Sequence, residues 1–207
     1  MSIFSRNAAV TALAVFAYTS GARCVAAKLE PILMNSGSEI IDSPLTSAAL
    51  GARFRALCAD PVMANLPGKI ELDVWGRILM SPASNFHGVV QLRVARCLCT
   101  LPGTAMVETS ILTDVGVLVA DVAWGTVEFM RTHRYETPYT KAPEICIEIA
   151  SPSNSTRELQ EKISAYLAAG ATEAWVIYPQ SKRIEVFAVI GLQAGSKFDI
   201  DLTGIFE

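Results

Sequence analysis

Two carboxylates stand where carboxylates are costly. Asp121 lies within Val117-Leu118-Val119-Ala120-Asp121-Val122-Ala123, and Glu148 within Ile145-Cys146-Ile147-Glu148-Ile149-Ala150. Both stretches are apolar enough to read as buried strands. An isolated charge in such a setting is strongly unfavourable, so each acid needs a cation, a metal or a proton. On neighbouring strands the pair would offer hard oxygen ligands, for which Mg²⁺ is the usual partner. The acids alone leave a second reading open, in which arginines neutralise them. Alternation along the second strand puts Ile145, Ile147 and Ile149 on one face. Glu144, Cys146, Glu148 and Ala150 take the other face, which is therefore partly polar.

The segment after Glu148 adds a lysine. Ser151-Pro152-Ser153-Asn154-Ser155 reads as a turn, and Ser155 with Glu158 forms a capping box. The helix it starts runs from about Thr156 to Ala169, with Gly170 as its stop. Leu159, Ile163, Tyr166 and Leu167 make its buried stripe. Lys162 sits at the edge of that stripe. Its ammonium can reach solvent, or turn back toward the strand end that carries Glu148.

The elements that must position these groups follow from periodicity. Leu45 to Cys58 has helical spacing and stops at Asp60-Pro61. Lys69 to Trp75 alternates polar and apolar residues, and Gly76-Arg77 turns it into Ile78-Leu79-Met80. Val90, Val94 and Leu98 mark a helix from His87 to about Leu98. Strands are expected at Ala105–Leu112, Gly116–Trp124, Glu144–Ala150, Ala174–Tyr178 and Arg183–Val189. The order predicts a mixed α/β sheet flanked by helices, with no internal repeat.

The chain has 207 residues, 51% of them hydrophobic and 18% charged, which suits one globular domain and excludes disorder. Residues 45–207 form the expected domain, and residues 1–44 an extension and linker. Seventeen Lys+Arg against twenty Asp+Glu give a net charge of −3, unlike a generic nucleic-acid binder. Five cysteines without CxxC spacing make a poor disulfide framework or zinc site and fit a reducing, cytoplasmic setting. Arg6, the apolar Ala8–Tyr18 stretch and Val25-Ala26-Ala27 supply a minority secretory reading. That stretch falls short of the roughly 20 residues that span a bilayer, so no membrane partner is expected.

The run PEICIEIASPSNSTRELQEKISAYLAAGATEAWVIYP resembles the Uma-type putative restriction endonucleases, bacterial members of the PD-(D/E)XK nuclease superfamily. GKIELDVWGRILMSP and VLVADVAW resemble earlier parts of the same pattern, and the likeness extends from about residue 50 to 190. It implies a restriction-endonuclease-like fold and Mg²⁺-dependent hydrolysis of phosphodiester bonds in DNA, with Mn²⁺ as a substitute ion. Asp121 and Glu148 match the acids of the two motif strands, and with the Ile149 carbonyl they would hold the metal. Ala150 stands where many members carry the motif lysine, and Lys162 on the next helix takes that role. Glu71 matches an early glutamate that completes the acidic cluster. Ala120 stands where the family usually has proline. Arg131, His133, Arg134 and Lys141 are candidates for phosphate contacts, or else a solvated loop. A homodimer would let such a nuclease cut both strands. The runner-up is a catalytically silent module of this fold that binds nucleic acid or assembles with protein.

Overall fold

The computed structural model describes residues 43–65, 68–81, 84–152 and 154–207. The signal-like stretch and nearly all of the lead-in to Pro44 lie outside the described residues. Among these residues no helix is long and apolar enough to cross a membrane.

One long strand organises the rest. β4 (Gly116–Thr126) is buried along almost its whole length, and the hairpin strand β3 (Gly103–Thr113) pairs with it antiparallel from end to end. Its other edge is shared by two strands. β1 (Lys69–Asp73) pairs antiparallel at Val117 and Gly116. β5 (Ile145–Ile149) pairs antiparallel at Val122, Ala123 and Trp124. β2 (Ile78–Ser81) extends the β1 side. On the β5 side follow β6 (Glu173–Tyr178), parallel to β5, and then the antiparallel β7 (Arg183–Ala188) and β8 (Gly191–Gln193). The result is an eight-stranded mixed sheet.

Helices cover both faces. α2 (Asn85–Leu98) starts at the Ser84 cap and buries Val90, Val94 and Leu98, the expected stripe. They pack with Ile145, Ile147 and Ile149 of β5 on one face. α4 (Thr156–Ala168) has the expected Ser155–Glu158 capping box and buries Leu159, Ile163 and Tyr166 against Cys146 on the opposite face. Gly170 follows it at φ +106°, a backbone that favours glycine and lets Ala171 N–H return to the Tyr166 carbonyl. α1 (Ser47–Ala59) packs Leu50 and Phe54 on Leu72, Val117 and Val119.

Two details differ from the sequence reading. The polar stretch after β4 folds into a short helix, α3 (Val127–His133), capped by Thr126 and anchored by one buried residue, Phe129. β8 adds a strand too short to show a period.

Candidate active site

β1 and β5 approach β4 from opposite ends and leave Leu118 to Asp121 between them. Carboxylates fill that gap. The β1–β4 ladder stops at Leu72↔Val117, and just beyond it Val119 N–H donates to Glu71 Oε1 at 2.8 Å. The β4–β5 ladder stops at Val122↔Ile147, and beyond it Ile149 N–H donates to Asp121 Oδ2 at 2.7 Å. Each acid takes up a strand N–H that would otherwise lack a sheet partner, which explains why acids are tolerated in such apolar strands. Opposite Asp121, Glu108 of β3 has φ +49°, and these two residues are left out of an otherwise continuous ladder. A glutamate in the left-handed region carries local strain. Gln91 ties this irregularity down by donating to both Glu108 Oε1 and the Asp121 carbonyl.

Two lysines lie between the three acids. Lys162 Nζ is 2.7 Å from Glu71 Oε1 and 3.5 Å from Glu148 Oε2. Its side chain therefore turns inward, the second of the two orientations open to it in the sequence. Lys69 Nζ is 2.7 Å from Asp121 Oδ1 and 3.5 Å from Glu148 Oε2. On the far side of Glu148 the buried Tyr166 hydroxyl donates to Oε1 at 2.6 Å. His87 Nε2 lies 3.3 Å from Asp121 Oδ1. Asp121 and Glu148 thus share a pattern in which one oxygen is anchored and the other faces cations.

The charges respond to these neighbours. Burial would raise the Asp121 carboxyl, but the His87 hydrogen bond and the Lys69 ammonium outweigh it and bring the pKa to about 2. For Glu148 burial prevails: Lys162 and Lys69 pull its pKa down, yet it stays above the ordinary glutamate value. Burial works against the charge on Lys69, and Glu148, Asp121 and Glu71 together overcome it and hold the ammonium charged. The hydrogen bond to Asp121 is the largest influence on His87 and raises its pKa despite burial.

Asp121, Glu148, Ile149, Lys69, His87 and Lys162 line one cavity of about 720 Å³. Phe54, Leu57 and Met63 form an apolar wall, and Ser151 and Asn154 lie at the turn before α4. Arg131, His133, Arg134 and Lys141 do not line it. Arg131 instead pairs with Glu128, His133 with Glu136, and Arg134 stacks on Tyr135.

No closed group of three His, Cys, Asp or Glu side chains occurs among the described residues. The donor chemistry at the fork nevertheless fits a hard cation. Asp121 Oδ1 and Glu148 Oε2 converge on one positive centre, the Lys69 ammonium, which marks the point where positive charge is favoured. Ile149 adds a backbone carbonyl. Its N–H points to Asp121, and the carbonyl of an extended residue leaves the same edge of the strand.

Sequence reasoning had named Asp121, Glu148, Glu71, Lys162 and Ile149, and the fold brings all five to this fork. It had missed Lys69, His87 and the Tyr166 hydroxyl. One local signal was present: Lys69 and Glu71, two apart on a strand, share a face.

A mixed sheet flanked by helices, with carboxylates and lysines where its central strands part, defines a protein of the restriction-endonuclease-like class. The chain belongs to the Uma2 family of putative restriction endonucleases, whose pattern it matches over residues 52–193. Its fold is similar to the crystal structure of a putative nuclease of the DUF820 group from Anabaena variabilis. That likeness has a TM-score of 0.51 at 19% identity and covers 60% of this chain and 76% of that one. No curated protein matches the chain.

Proposed function

We propose that this chain is a nuclease that hydrolyses phosphodiester bonds in DNA with a divalent cation, Mg²⁺ or in its place Mn²⁺. One observation carries the reading. Asp121, Glu148, Lys69 and Lys162, from β4, β5, β1 and α4, line one cavity where the strand fork opens, and Glu71 of β1 contacts Lys162 there. Strand N–H contacts account for Glu71 and Asp121, but none accounts for Glu148 facing two lysines.

In this reading Asp121, Glu148 and the Ile149 carbonyl would hold the cation. When bound, it supplies Lewis-acid activation of the phosphate and of water. Lys162 stabilises the negative charge that grows on the phosphoryl oxygens, or orients the attacking water. Glu71 keeps the Lys162 ammonium at the fork through its 2.7 Å contact. Tyr166 fixes Glu148 so that Oε2 is the oxygen it presents.

Purified protein should nick or degrade plasmid DNA with Mg²⁺ or Mn²⁺ and stop on chelation. Asp121→Asn and Lys162→Ala should each lower the rate on the order of 10²–10³-fold while the domain still melts cooperatively. Cleavage that persists in both variants overturns the assignment. A second reading, the silent module, draws on one observation: two ammonium groups already neutralise most of the acidic charge. DNA binding without cleavage under every divalent ion would favour it.

A further inference from the structure

We propose that Lys69 is the resident cation of this site, and that a divalent ion binds between Asp121 and Glu148 only by displacing its ammonium. The inference rests on the cation-dependent reading above and adds a competitor to it.

Each of these acids has one committed oxygen. Asp121 Oδ2 is held by Ile149 N–H and Glu148 Oε1 by the Tyr166 hydroxyl. The remaining oxygens, Asp121 Oδ1 and Glu148 Oε2, are the pair that Lys69 Nζ contacts at 2.7 and 3.5 Å. A hard ion bonded to both at about 2.1 Å would need the space the ammonium now fills. An ion placed between those two oxygens would stand where Nζ now stands, so ion and ammonium compete for one position.

Lys162 is not equivalent. Its short contact is to Glu71, and only its longer one reaches Glu148, so it can stay when the pair is taken. Lys69 has somewhere to go, because its side chain already lines the 720 Å³ cavity. The exchange replaces one positive charge by two, against the cost of dehydrating the ion. Metal affinity is then set by the difference between ion and ammonium. The buried acids also remain neutralised before any metal arrives.

The test uses the full chain and Mn²⁺ as probe. Calorimetry on the wild type and on Lys69→Met, which keeps the apolar stem, should show binding to the variant tighter by at least about tenfold. Lys162→Met should change affinity less. Equal or weaker binding to a folded Lys69→Met variant overturns the inference and leaves the cation-dependent reading standing. No binding to either protein overturns both.

The wild type supplies a check that needs no substitution. In an Mg²⁺ titration followed by nitrogen NMR of lysine ammonium groups, the Lys69 signal should shift with saturation and by more than the Lys162 signal. A Lys69 signal that stays in place at saturating Mg²⁺ overturns the inference.

Discussion

Glu148 and Glu173 lie on adjacent parallel strands, both almost fully buried, and their charges are met in opposite ways. Glu173 is enclosed by neutral donors: Trp175 Nε1 and Ser196 Oγ on one oxygen, Lys197 N–H on the other, all between 2.7 and 2.8 Å. It fastens the segment after β8 to the sheet. Glu148 has one neutral donor, Tyr166, and its second oxygen is shared by two ammonium groups at 3.5 Å. A buried acid in a strand is therefore not by itself a sign of chemistry. What separates the two is whether their partners are able to leave.

Paired substitutions put this contrast at risk. Glu148→Gln should cost cleavage on the order of 10³-fold, since the presented oxygen loses its charge, and should leave the domain folded. Glu173→Gln should do the reverse. It should lower stability by roughly 2–3 kcal/mol in denaturant unfolding, because a charge-assisted buried cluster is weakened, and keep cleavage wherever the protein is folded. If the folded Glu173 variant were inactive, the distinction would collapse.

Tyr166→Phe sharpens the comparison from inside the site. The hydroxyl holds Glu148 at 2.6 Å. Its loss should reduce stability by about 1–2 kcal/mol and free the carboxylate to turn. A drop in cleavage smaller than that of Glu148→Gln, with Mn²⁺ affinity lowered as well, is the expected pair of results.

The last effect appears only in acid. Asp121 has a folded pKa of about 2 against an ordinary 3.8, so its contribution is fully present above 3.8 and is lost as pH falls toward 2. By linkage that amounts to roughly 2 kcal/mol, and Asp121→Asn should flatten the stability–pH curve there. Glu148 works in the opposite sense. Its raised pKa means that burial of the charge weighs least at low pH and costs most once pH has risen through the folded value.

Much of this molecule was legible in its sequence because two periods carry the signal. The Val90, Val94, Leu98 stripe and the alternation of Ile145, Ile147 and Ile149 fix α2 and β5 to the faces they occupy. α3 was not legible, because a seven-residue helix with one buried side chain, Phe129, leaves no stripe to read. Its basic residues were open to two readings, phosphate contacts or a solvated loop, because the i,i+3 pairing of Arg131 with Glu128 shows only once the segment is helical. At the site, Asp121 and Glu148 stood out as charges in apolar strands, and Lys162 through the capped helix after them. Lys69 and His87 did not stand out. Lys69 comes to Asp121 because β1 and β5 share one edge of β4, and His87 because α2 packs against β4.

The strand fork has a consequence for how related sequences should be compared. Glu71 and Asp121 accept main-chain N–H groups of Val119 and Ile149, so the sheet needs them whether or not any bond is cut. A lineage that abandoned hydrolysis would still be under selection to keep these acids for folding. Lys162 makes side-chain contacts alone, to Glu71 and Glu148, and no strand depends on it. When an active lineage is to be told from a decayed one, position 162 is the one to examine first.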